Sequence, residues 1–428
     1  MSRFQKIKGT HDILPEESWK WQYVENMVRE VMARYGFEEI RTPIFEETAL
    51  FARGIGQLTD IVSKEMYTFL DRGQKSLTLK PEGTAPVIRA YIEHNLGERR
   101  PINKLFYISP MFRQENPQAG RLRQFHQFGA ELIGSPNPEA DVETIALAVD
   151  IYRALGLKDF TLKLNSVGDT SCREPYKEVL RTFLKPRLQH LCKTCQERFD
   201  KNPLRILDCK EDGCRQETQN APRFIDHLCE ACSRHFDQVQ KLLAQLDIEF
   251  EVDFRLVRGL DYYTRTAYEM ISGELGAQNA LGGGGRYDYL AEELGGKPTP
   301  GVGFAAGIER LLMVLEKRKL LPPRPDRVDL FIATLGEAAR DWAMRRSREL
   351  RAKGMRVELD FLGRSLKAQM KEANRSGAVF ALIVGENELQ SGKAVLRDLR
   401  QSIQEEIHME AIETVIAQKI AGKQKNVS

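Results

Sequence analysis

The apolar side chains near the start of the chain recur first at helical and then at strand spacing. Residues 16–35 predict an amphipathic helix that ends at Tyr35-Gly36. Its apolar positions are Trp19, Tyr23, Val24, Met27, Val28 and Val31. The next run, EEIRTPIFEE at 38–47, predicts a strand. Pro43 within it favours an edge or an interface, because proline cannot donate to a sheet ladder.

Further strands precede a change of character at residue 170. The pattern predicts a helix over 138–155 and strands at 76–79, 104–109, 125–133 and 160–164. Residues 170–245 hold all seven cysteines and many charges, and they are predicted to be mostly helical. Strand-like sequence returns at 249–271, so this segment is interpreted as an insertion into one domain.

The end of the chain forms a separate pattern. Residues 320–325, LLPPRP, are typical of a linker. Beyond them, strand-like and helix-like runs alternate in the order βαβαβα. That order predicts a small α/β domain with a largely parallel sheet.

Length and charge refine this picture only slightly. A chain of 428 residues is too long for one core. No apolar run approaches membrane-spanning length, so a cytoplasmic protein is expected. The net charge is +3, and residues 326–428 hold 18 Lys+Arg against 15 Asp+Glu. This excess is too small to establish nucleic-acid binding by itself.

Candidate chemistry begins with LVRGLDYYTRTAYE at 256–269 and GGGGRYD at 282–288. A strand over the Tyr and Thr positions 262–268 turns alternate side chains to one face, which can line a pocket with hydroxyls. Four consecutive glycines let the backbone approach a ligand where a Cβ would collide. A small polar substrate held beside a cation fits these residues.

Two further elements carry arginines. Residues 106–134 predict a hairpin in which Arg113 closes the first arm, a group that binds phosphate with a planar fork. An edge hairpin with solvated charges is the alternative. Residues 298–316 predict a glycine-rich strand leading into a helix that begins near Glu309-Arg310, where a helix N-terminus favours anions. Alone, that helix is more often structural.

Taken together and in this order, these elements resemble the three motifs of class II aminoacyl-tRNA synthetases. The region around Pro43 resembles motif 1, which forms the dimer interface in that family. FRQE at 112–115 resembles motif 2, and GIER at 307–310 resembles motif 3. The glycine-rich and tyrosine-rich segments, with SLTLKPEGTAPVIRAYIEHN at 76–95, are similar to histidyl-tRNA synthetases over essentially the whole chain.

The resemblance implies a fold class and a reaction. The fold would be an α+β catalytic domain with a six-stranded antiparallel sheet flanked by helices, a helical insertion and a C-terminal α/β anticodon-binding domain. The implied boundaries are 1–169 plus 246–321, 170–245 and 326–428. A homodimer would join histidine to ATP as histidyl-adenylate and transfer histidine to the 3′ end of its tRNA.

The resemblance also implies roles for single residues. For ATP, Arg113 and Arg258 would meet the α-phosphate and the carboxylate, Arg310 the γ-phosphate and Phe125 the adenine, with Mg²⁺ bridging phosphate oxygens. The histidine site would comprise Glu82, Gly83, Thr84, Gln127, Glu131, Tyr262, Tyr263 and Tyr287. The candidates for contacting the tRNA acceptor end are Gln118, Arg121 and Arg123.

A related, non-catalytic protein is the main alternative: a synthetase-like regulatory subunit of the ATP phosphoribosyltransferase of histidine biosynthesis. Such proteins typically lack the anticodon domain and the catalytic arginines, whereas this chain has both. A module that senses uncharged tRNA is the second alternative. The intact second and third motifs count against it.

The cysteines of the insertion suggest a metal. They are spaced as Cys192-x2-Cys195, Cys209-x4-Cys214 and Cys229-x2-Cys232, with Cys172 apart. Two CxxC pairs are typical of a tetrahedral zinc site, so Cys192, Cys195, Cys229 and Cys232 are the predicted ligands of one structural Zn²⁺. Free, buried thiols are the alternative.

Overall fold

The computed structural model of the chain describes residues 4–56, 59, 61–118, 120–257, 260–274 and 280–424, and side chains as far as residue 420. The chain divides into two compact units, Met1–Pro322 and Pro323–Ser428. Among the described residues, no helix is long and apolar enough to cross a membrane.

Eleven described strands build two sheets in the first unit. In chain order they are β1 Glu38–Glu39, β2 Phe45–Glu47, β3 Thr68–Leu70, β4 Ser76–Leu79, β5 Asn103–Phe112, β6 Gln124–Ile133, β7 Thr161–Ser166, β8 Glu251–Val252, β9 Thr264–Ile271, β10 Ala280–Arg286 and β11 Gly301–Gly307. The large sheet has the order β1-β5-β6-β11-β10-β9-β7-β8, and the small one β2-β4-β3.

The large sheet has two more strands than the six that were predicted. Each neighbouring pair among its six central strands is antiparallel, in the spatial order β5-β6-β11-β10-β9-β7. The short edge strands β1 and β8 each pair in parallel with a neighbour. The sheet is therefore mixed, with an antiparallel centre.

The single strand predicted over 38–47 is wrong. It divides into β1 and β2, which belong to different sheets, and Pro43 lies between them. The tyrosine pair Tyr262-Tyr263 also precedes β9 and is not part of it.

Twelve described α-helices accompany these strands. They are α1 Pro15–Arg34, α2 Thr48–Gly54, α3 Thr84–Glu93, α4 Leu96–Arg99, α5 Pro138–Ala154, α6 Thr170–Leu184, α7 Lys193–Lys201, α8 Leu204–Leu207, α9 Asp212–Glu217, α10 Glu230–Gln245, α11 Leu290–Glu293 and α12 Ile308–Lys317. Helices α6 to α10 form the segment between β7 and β8.

The strands alternate between two faces of the large sheet, and this alternation places the core. On one face, Phe128 and Phe304 pack with the apolar sides of α1, α5 and α12, such as Val28, Val149 and Leu311. The opposite face carries the odd-numbered positions of β5, β6 and β11. It is the face on which polar residues accumulate.

Unit Pro323–Ser428 is a second sheet covered by helices. Its strands are β12 Val328–Thr334, β13 Val357–Leu359, β14 Ala378–Val384, β15 Lys393–Asp398 and β16 Ile403–His408. Its helices are α13 Glu337–Ala352, α14 Leu366–Arg375, α15 Glu386–Ser391 and α16 Ile412–Gln424.

The largely parallel sheet predicted for this unit is only half correct. Strand β12 pairs in parallel with β13 and β14, but β15 and β16 add an antiparallel hairpin. The sheet order is β13-β12-β14-β15-β16.

Candidate active site

Strand β6 lies at the centre of the site and presents three of the predicted residues on one face. Phe125, Gln127 and Glu131 share the face opposite the α1–α5–α12 core, because side chains two residues apart point the same way. In register, Gln127 lies between Ser109 of β5 and Gly307 of β11.

Arg113 directly follows β5 and is held at the wall of a cavity of about 200 Å³. Its Nε donates to the Pro81 carbonyl oxygen at 2.9 Å. Its guanidinium carbon lies 5.2 Å from the centre of the Phe125 ring, a cation–π distance. The remaining N–H groups are close to Glu115, with the nearest N–O distance 3.9 Å.

Arg310 reaches the same cavity from the first turn of α12. Its Nε donates to the Gly120 carbonyl oxygen at 2.9 Å, and its Nη1 donates to the Ala280 carbonyl oxygen at 3.0 Å. Burial and then the nearby charge of Arg121 lower the pKa of Arg310, although an arginine remains charged at neutral pH. Arg113, Arg121 and Arg310 thus bring three cations to the cavity wall, where they can bind an anionic ligand.

The start of α12 is fixed by Glu309, the residue before Arg310. Both Glu309 carboxylate oxygens accept the His126 backbone N–H, at 2.9 and 3.0 Å, and the His126 ring nitrogen Nδ1 lies 3.0 Å from Oε1. The His126 ring packs edge-on against Trp21. These contacts attach the start of α12 to β6 and therefore fix the position of Arg310.

Beyond the cavity, Glu131 is a fully buried carboxyl group. It accepts the Thr84 hydroxyl at 2.8 Å and the Tyr287 hydroxyl at 2.5 Å. Burial raises the pKa of Glu131 to about 8, against the opposing effect of these two hydrogen bonds, and nearby Glu82 adds to the rise. A carboxyl group of this kind is typical of a functional site.

Glu82 has a different task from Glu131. Its two oxygens accept the backbone N–H groups of Thr84 at 2.7 Å and Ala85 at 2.9 Å, which caps the start of α3. Burial raises the pKa of Glu82, while these backbone hydrogen bonds oppose the rise. Gly83 between them has no room for a side chain, since a Cβ would lie 2.2 Å from the Tyr107 ring.

The predicted tyrosines surround Glu131. Tyr262 packs against Tyr263 with ring centres 4.8 Å apart, and it meets Tyr287 edge-on at 5.9 Å. All three are buried. They form an aromatic wall with hydroxyl groups.

Small residues form the floor beneath these groups. A Cβ at Gly303 would lie 1.9 Å from Glu131 Oε2, and one at Gly129 would lie 2.4 Å from the Tyr107 ring. The run of four glycines is only partly what was predicted. Gly282 and Gly283 line the cavity, but Gly284 and Gly285 are needed for contact with the neighbouring strands.

The remaining predicted residues are Arg258, Gln118, Arg121 and Arg123. Arg258 lies outside the described residues. Gln118 forms an isolated bridge with Arg121, whose Nε lies 3.2 Å from Glu115, and this places Arg121 at the cavity. Arg123 does not line the cavity: its Nε donates to the Glu115 carbonyl oxygen at 3.3 Å.

The structure adds site residues that the sequence analysis missed. Tyr107 is buried beside Gly83 and Gly129, and the carboxylates of Glu115, Glu269 and Glu309 line the cavity. Strand parity could have found Tyr107, because it precedes Arg113 by an even number of residues. The His126–Glu309 contact joins distant parts of the chain and had no local signal.

The cysteines also assemble differently from the prediction. Cys192 and Cys195 lie with Cys209 and Cys214, whereas Cys229 and Cys232 lie with Cys172 and Asp169. A single site of Cys192, Cys195, Cys229 and Cys232 is therefore wrong, because its two halves belong to separate clusters.

A sheet with an antiparallel centre that carries one arginine after its hairpin strand and another on the helix after its last strand is typical of a class II aminoacyl-tRNA synthetase. The comparisons agree with this class. The sequence matches the family model described as Histidyl-tRNA synthetase over residues 9–311, and that of the Anticodon binding domain over residues 329–419. The chain belongs to the histidyl-tRNA synthetase family.

Similar proteins cover nearly the whole chain. A histidine–tRNA ligase of Moorella thermoacetica is 54% identical over 405 residues, covering 95% of this chain and 96% of its own length. One of Chloroherpeton thalassium is 55% identical over 411 residues, covering 95% and 96%. The apo S. aureus histidyl-tRNA synthetase structure has a TM-score of 0.82 and 41% identity, covering 96% of this chain and 99% of its own.

These relationships confirm the predicted enzyme. The chain is an aminoacyl-tRNA synthetase that charges tRNA with histidine, and its C-terminal unit contains the anticodon-binding domain. The regulatory-subunit alternative is not favoured. Synthetases of this class use ATP with Mg²⁺.

Proposed function

We propose that the face of the large sheet that carries Gln127 and Glu131 holds the two substrates side by side. ATP would lie in the cavity and the histidine side chain at Glu131. The observation that carries this assignment is the position of Gln127. It lines the cavity with Arg113 and Arg310, yet it is only four residues from Glu131 on the same face of β6. The substrate carboxylate would then lie where the two halves meet.

In the ATP half, the reaction brings a carboxylate onto a phosphate, so cations must offset two negative charges. Arg113 and Arg310 would supply these charges, each fixed by hydrogen bonding to backbone carbonyl oxygens. Phe125 offers an aromatic ring to adenine. Arg258 keeps its proposed role at the α-phosphate and carboxylate on the resemblance alone.

The cavity also suits the magnesium ion that accompanies ATP. Mg²⁺ prefers oxygen ligands and usually keeps water molecules when it binds phosphates. Glu115 and Glu269 place carboxylates on the cavity wall and would hold it there. When bound, Mg²⁺ neutralises negative charge on the phosphate oxygens.

In the histidine half of the site, the ammonium group and the imidazole ring of the substrate would bind at different depths. Gln127 lines the cavity, and its side-chain oxygen is buried without a hydrogen-bond partner among the described residues, so it is an acceptor that would suit the substrate ammonium group. Glu131 lies deeper, among Tyr107, Tyr262 and Tyr287. It would accept an N–H of the imidazole ring, which the aromatic wall encloses.

We expect Glu131→Gln to weaken histidine use selectively. Leaving a buried hydrogen-bonding group without its partner costs about 1–3 kcal/mol, so the KM for histidine should rise about 5- to 150-fold. The KM for ATP should stay within about twofold, because Glu131 lies outside the ATP half. Steady-state ATP–pyrophosphate exchange with each substrate varied in turn measures both.

Glu292→Gln is the matched control, since Glu292 is exposed on α11. It should change neither KM. An equal rise in both KM values for Glu131→Gln would contradict the division of the site into two halves.

For tRNA, Gln118 and Arg121 stay candidates at the acceptor end. Arg121 is 40% exposed at the cavity wall, so it is accessible from outside. Arg123 is proposed on the resemblance alone. The place of action that we propose is the cytoplasm, because tRNA charging serves translation.

A homodimer through the motif 1 region is part of the same proposal. Four large apolar residues are exposed on or beside the small sheet: Ile44, Phe45, Phe69 and Leu70. The Phe45 and Phe69 rings contact each other edge-on, at 6.5 Å between centres. Exposed apolar patches of this kind mark interfaces between proteins, and Phe45 belongs to the segment that resembles motif 1.

A further inference from the structure

Three pairs of metal-binding side chains share one local geometry in the insertion between β7 and β8. In each pair the first residue occupies the N-cap position of a helix and the second is the third residue of that helix: Asp169 and Cys172 at α6, Cys192 and Cys195 at α7, Cys229 and Cys232 at α10. N-cap and third-position side chains are adjacent in space. The pattern therefore presents two ligand atoms from one turn of backbone.

The first cluster comprises Cys192, Cys195, Cys209 and Cys214. Their four sulfur atoms all lie within 4.8 Å of one another, and the Cys192 and Cys209 sulfurs are 4.0 Å apart. A disulfide has an S–S distance of about 2.05 Å, so these two sulfurs are not bonded. Tetrahedral zinc with Zn–S bonds of about 2.3 Å places its sulfurs about 3.8 Å apart.

A backbone contact also joins two segments of the chain within this cluster. The Cys192 backbone N–H donates to the Cys214 sulfur at 3.1 Å. Two of the four residues, Cys195 and Cys214, are buried, and the other two are partly exposed. Packing of apolar thiols would explain their burial, but it would not by itself bring four sulfur atoms together at tetrahedral spacing.

The second cluster comprises Asp169, Cys172, Cys229 and Cys232. One carboxylate oxygen and three sulfurs lie within 4.8 Å of one another. Ser171 donates both its backbone N–H and its hydroxyl to Asp169 Oδ1, at 3.0 and 2.6 Å, which holds the carboxylate in place. Gly168 makes room for the Cys172 sulfur. Its φ is +56°, and a Cβ at this position would lie 2.4 Å from that sulfur.

We infer that the insertion binds two structural zinc ions, one held by Cys192, Cys195, Cys209 and Cys214 and the other by Asp169, Cys172, Cys229 and Cys232. Four thiolates, or three thiolates and a carboxylate, satisfy the closed four-coordinate geometry of structural zinc. The inference is independent of the roles proposed above for the catalytic residues.

The ligands of the first site lie in sequence between the two halves of the second site, so the two ions would stabilise different parts of the insertion. The first lies wholly between α6 and α10 and closes a short loop. The second joins the first residues after β7 to the start of α10, so it closes the base of the insertion against the large sheet. Next to its ligand Cys172, Arg173 donates to the carbonyl oxygens of Val167 and Tyr263, which links this base to the tyrosine wall.

The direct test is the metal content of the full-length protein, purified without chelators and dialysed against metal-free buffer. We expect about two zinc ions per chain. X-ray absorption at the zinc edge should give, averaged over both sites, about 3.5 sulfur ligands at about 2.3 Å and about 0.5 oxygen ligand at about 2.0–2.2 Å. Less than about 0.5 zinc per chain, with none taken up from added Zn²⁺, would overturn the inference, as would iron in its place.

Variants assign each ion to its site. Cys195→Ser and Cys232→Ser should each leave about one zinc per chain, because each removes a ligand of one cluster only. The remaining zinc should be bound by four sulfurs in Cys232→Ser and by three sulfurs and one oxygen in Cys195→Ser. Loss of all zinc in either variant alone would contradict two independent sites.

Asp169→Asn separates binding of metal from capping of the helix. Asparagine caps a helix about as well as aspartate, so the fold of α6 should survive. It supplies no anionic oxygen, and the second zinc should exchange with a chelator much faster than in the wild type. Unchanged exchange and an unchanged absorption spectrum would remove Asp169 from the ligands.

Discussion

Arg310→Gln should lower kcat/KM for histidine-dependent ATP–pyrophosphate exchange by about 10³-fold. Arg310 is held by two backbone carbonyl oxygens and lies among the cavity residues with Arg113 and Arg121. A cation placed in advance where negative charge develops needs no reorganisation during the reaction, which is why its removal is costly. Glutamine retains hydrogen-bonding capacity but no charge.

Two further variants make this experiment specific to charge and position. Arg310→Lys keeps the charge without the planar fork and should retain more activity than Arg310→Gln. Arg153→Gln removes an exposed arginine at the end of α5 and should be nearly neutral. A loss below tenfold in Arg310→Gln would contradict the role that we propose.

The second large effect is expected on stability. Arg286 belongs to the GGGGRYD segment but does not face the substrates: it is fully buried on the opposite face of the sheet. Its Nη1 donates to Asp141 at 2.5 Å and its Nε to Asp288 at 3.1 Å. Asp141 also contacts His235 of α10 at 3.2 Å. The cluster of Arg286, Asp141 and His235 therefore joins β10, α5 and α10.

The charges of this cluster depend on one another. Burial raises the pKa of Asp141, but the charge of Arg286 and the hydrogen bond from His235 outweigh it, and the net shift is downward. Arg286→Met leaves Asp141 buried without its main partner. Breaking a buried pair in this way should lower the free energy of unfolding by about 3–5 kcal/mol.

The tryptophans allow this loss to be measured in one unit. Trp19 and Trp21 lie on α1, whereas Trp342 lies in the C-terminal unit. In a Trp342→Phe background, urea unfolding followed by fluorescence reports on the catalytic unit. Arg100→Met is the control, because its ion pair with Glu38 is 68% and 65% exposed and should contribute at most about 1 kcal/mol. A loss for Arg286→Met no larger than that of the control would show that the pair is not stabilising.

Periodicity predicted the long elements and failed on short or non-local ones. The spacing in α1, α5, β5 and β6 was sufficient because each buries one continuous face. β1 is only two residues long, and its pairing with β5 depends on distant sequence. The hairpin of β15 and β16 was missed because β16 carries mostly exposed residues, such as its QEE run.

The site was predictable to the extent that motifs are local. The positions of Phe125, Gln127 and Glu131 follow from strand parity once β6 is identified. The cysteine partners did not follow from spacing, because two CxxC pairs fit one site as well as they fit two. Only the fold shows that Cys209-x4-Cys214 completes the first cluster and that Asp169 joins the second.

Histidine-dependent ATP–pyrophosphate exchange, with each of the other amino acids as a control, tests the central claim most directly. The proposed site has an aromatic wall around a buried carboxyl group, and exchange should therefore occur with histidine alone. A site built to hydrogen-bond its substrate rejects analogues that lack the matching group by about 10⁴-fold or more. Exchange with another amino acid at a comparable rate, or none with histidine in folded protein, would contradict the assignment of Glu131 and the tyrosines as the histidine pocket.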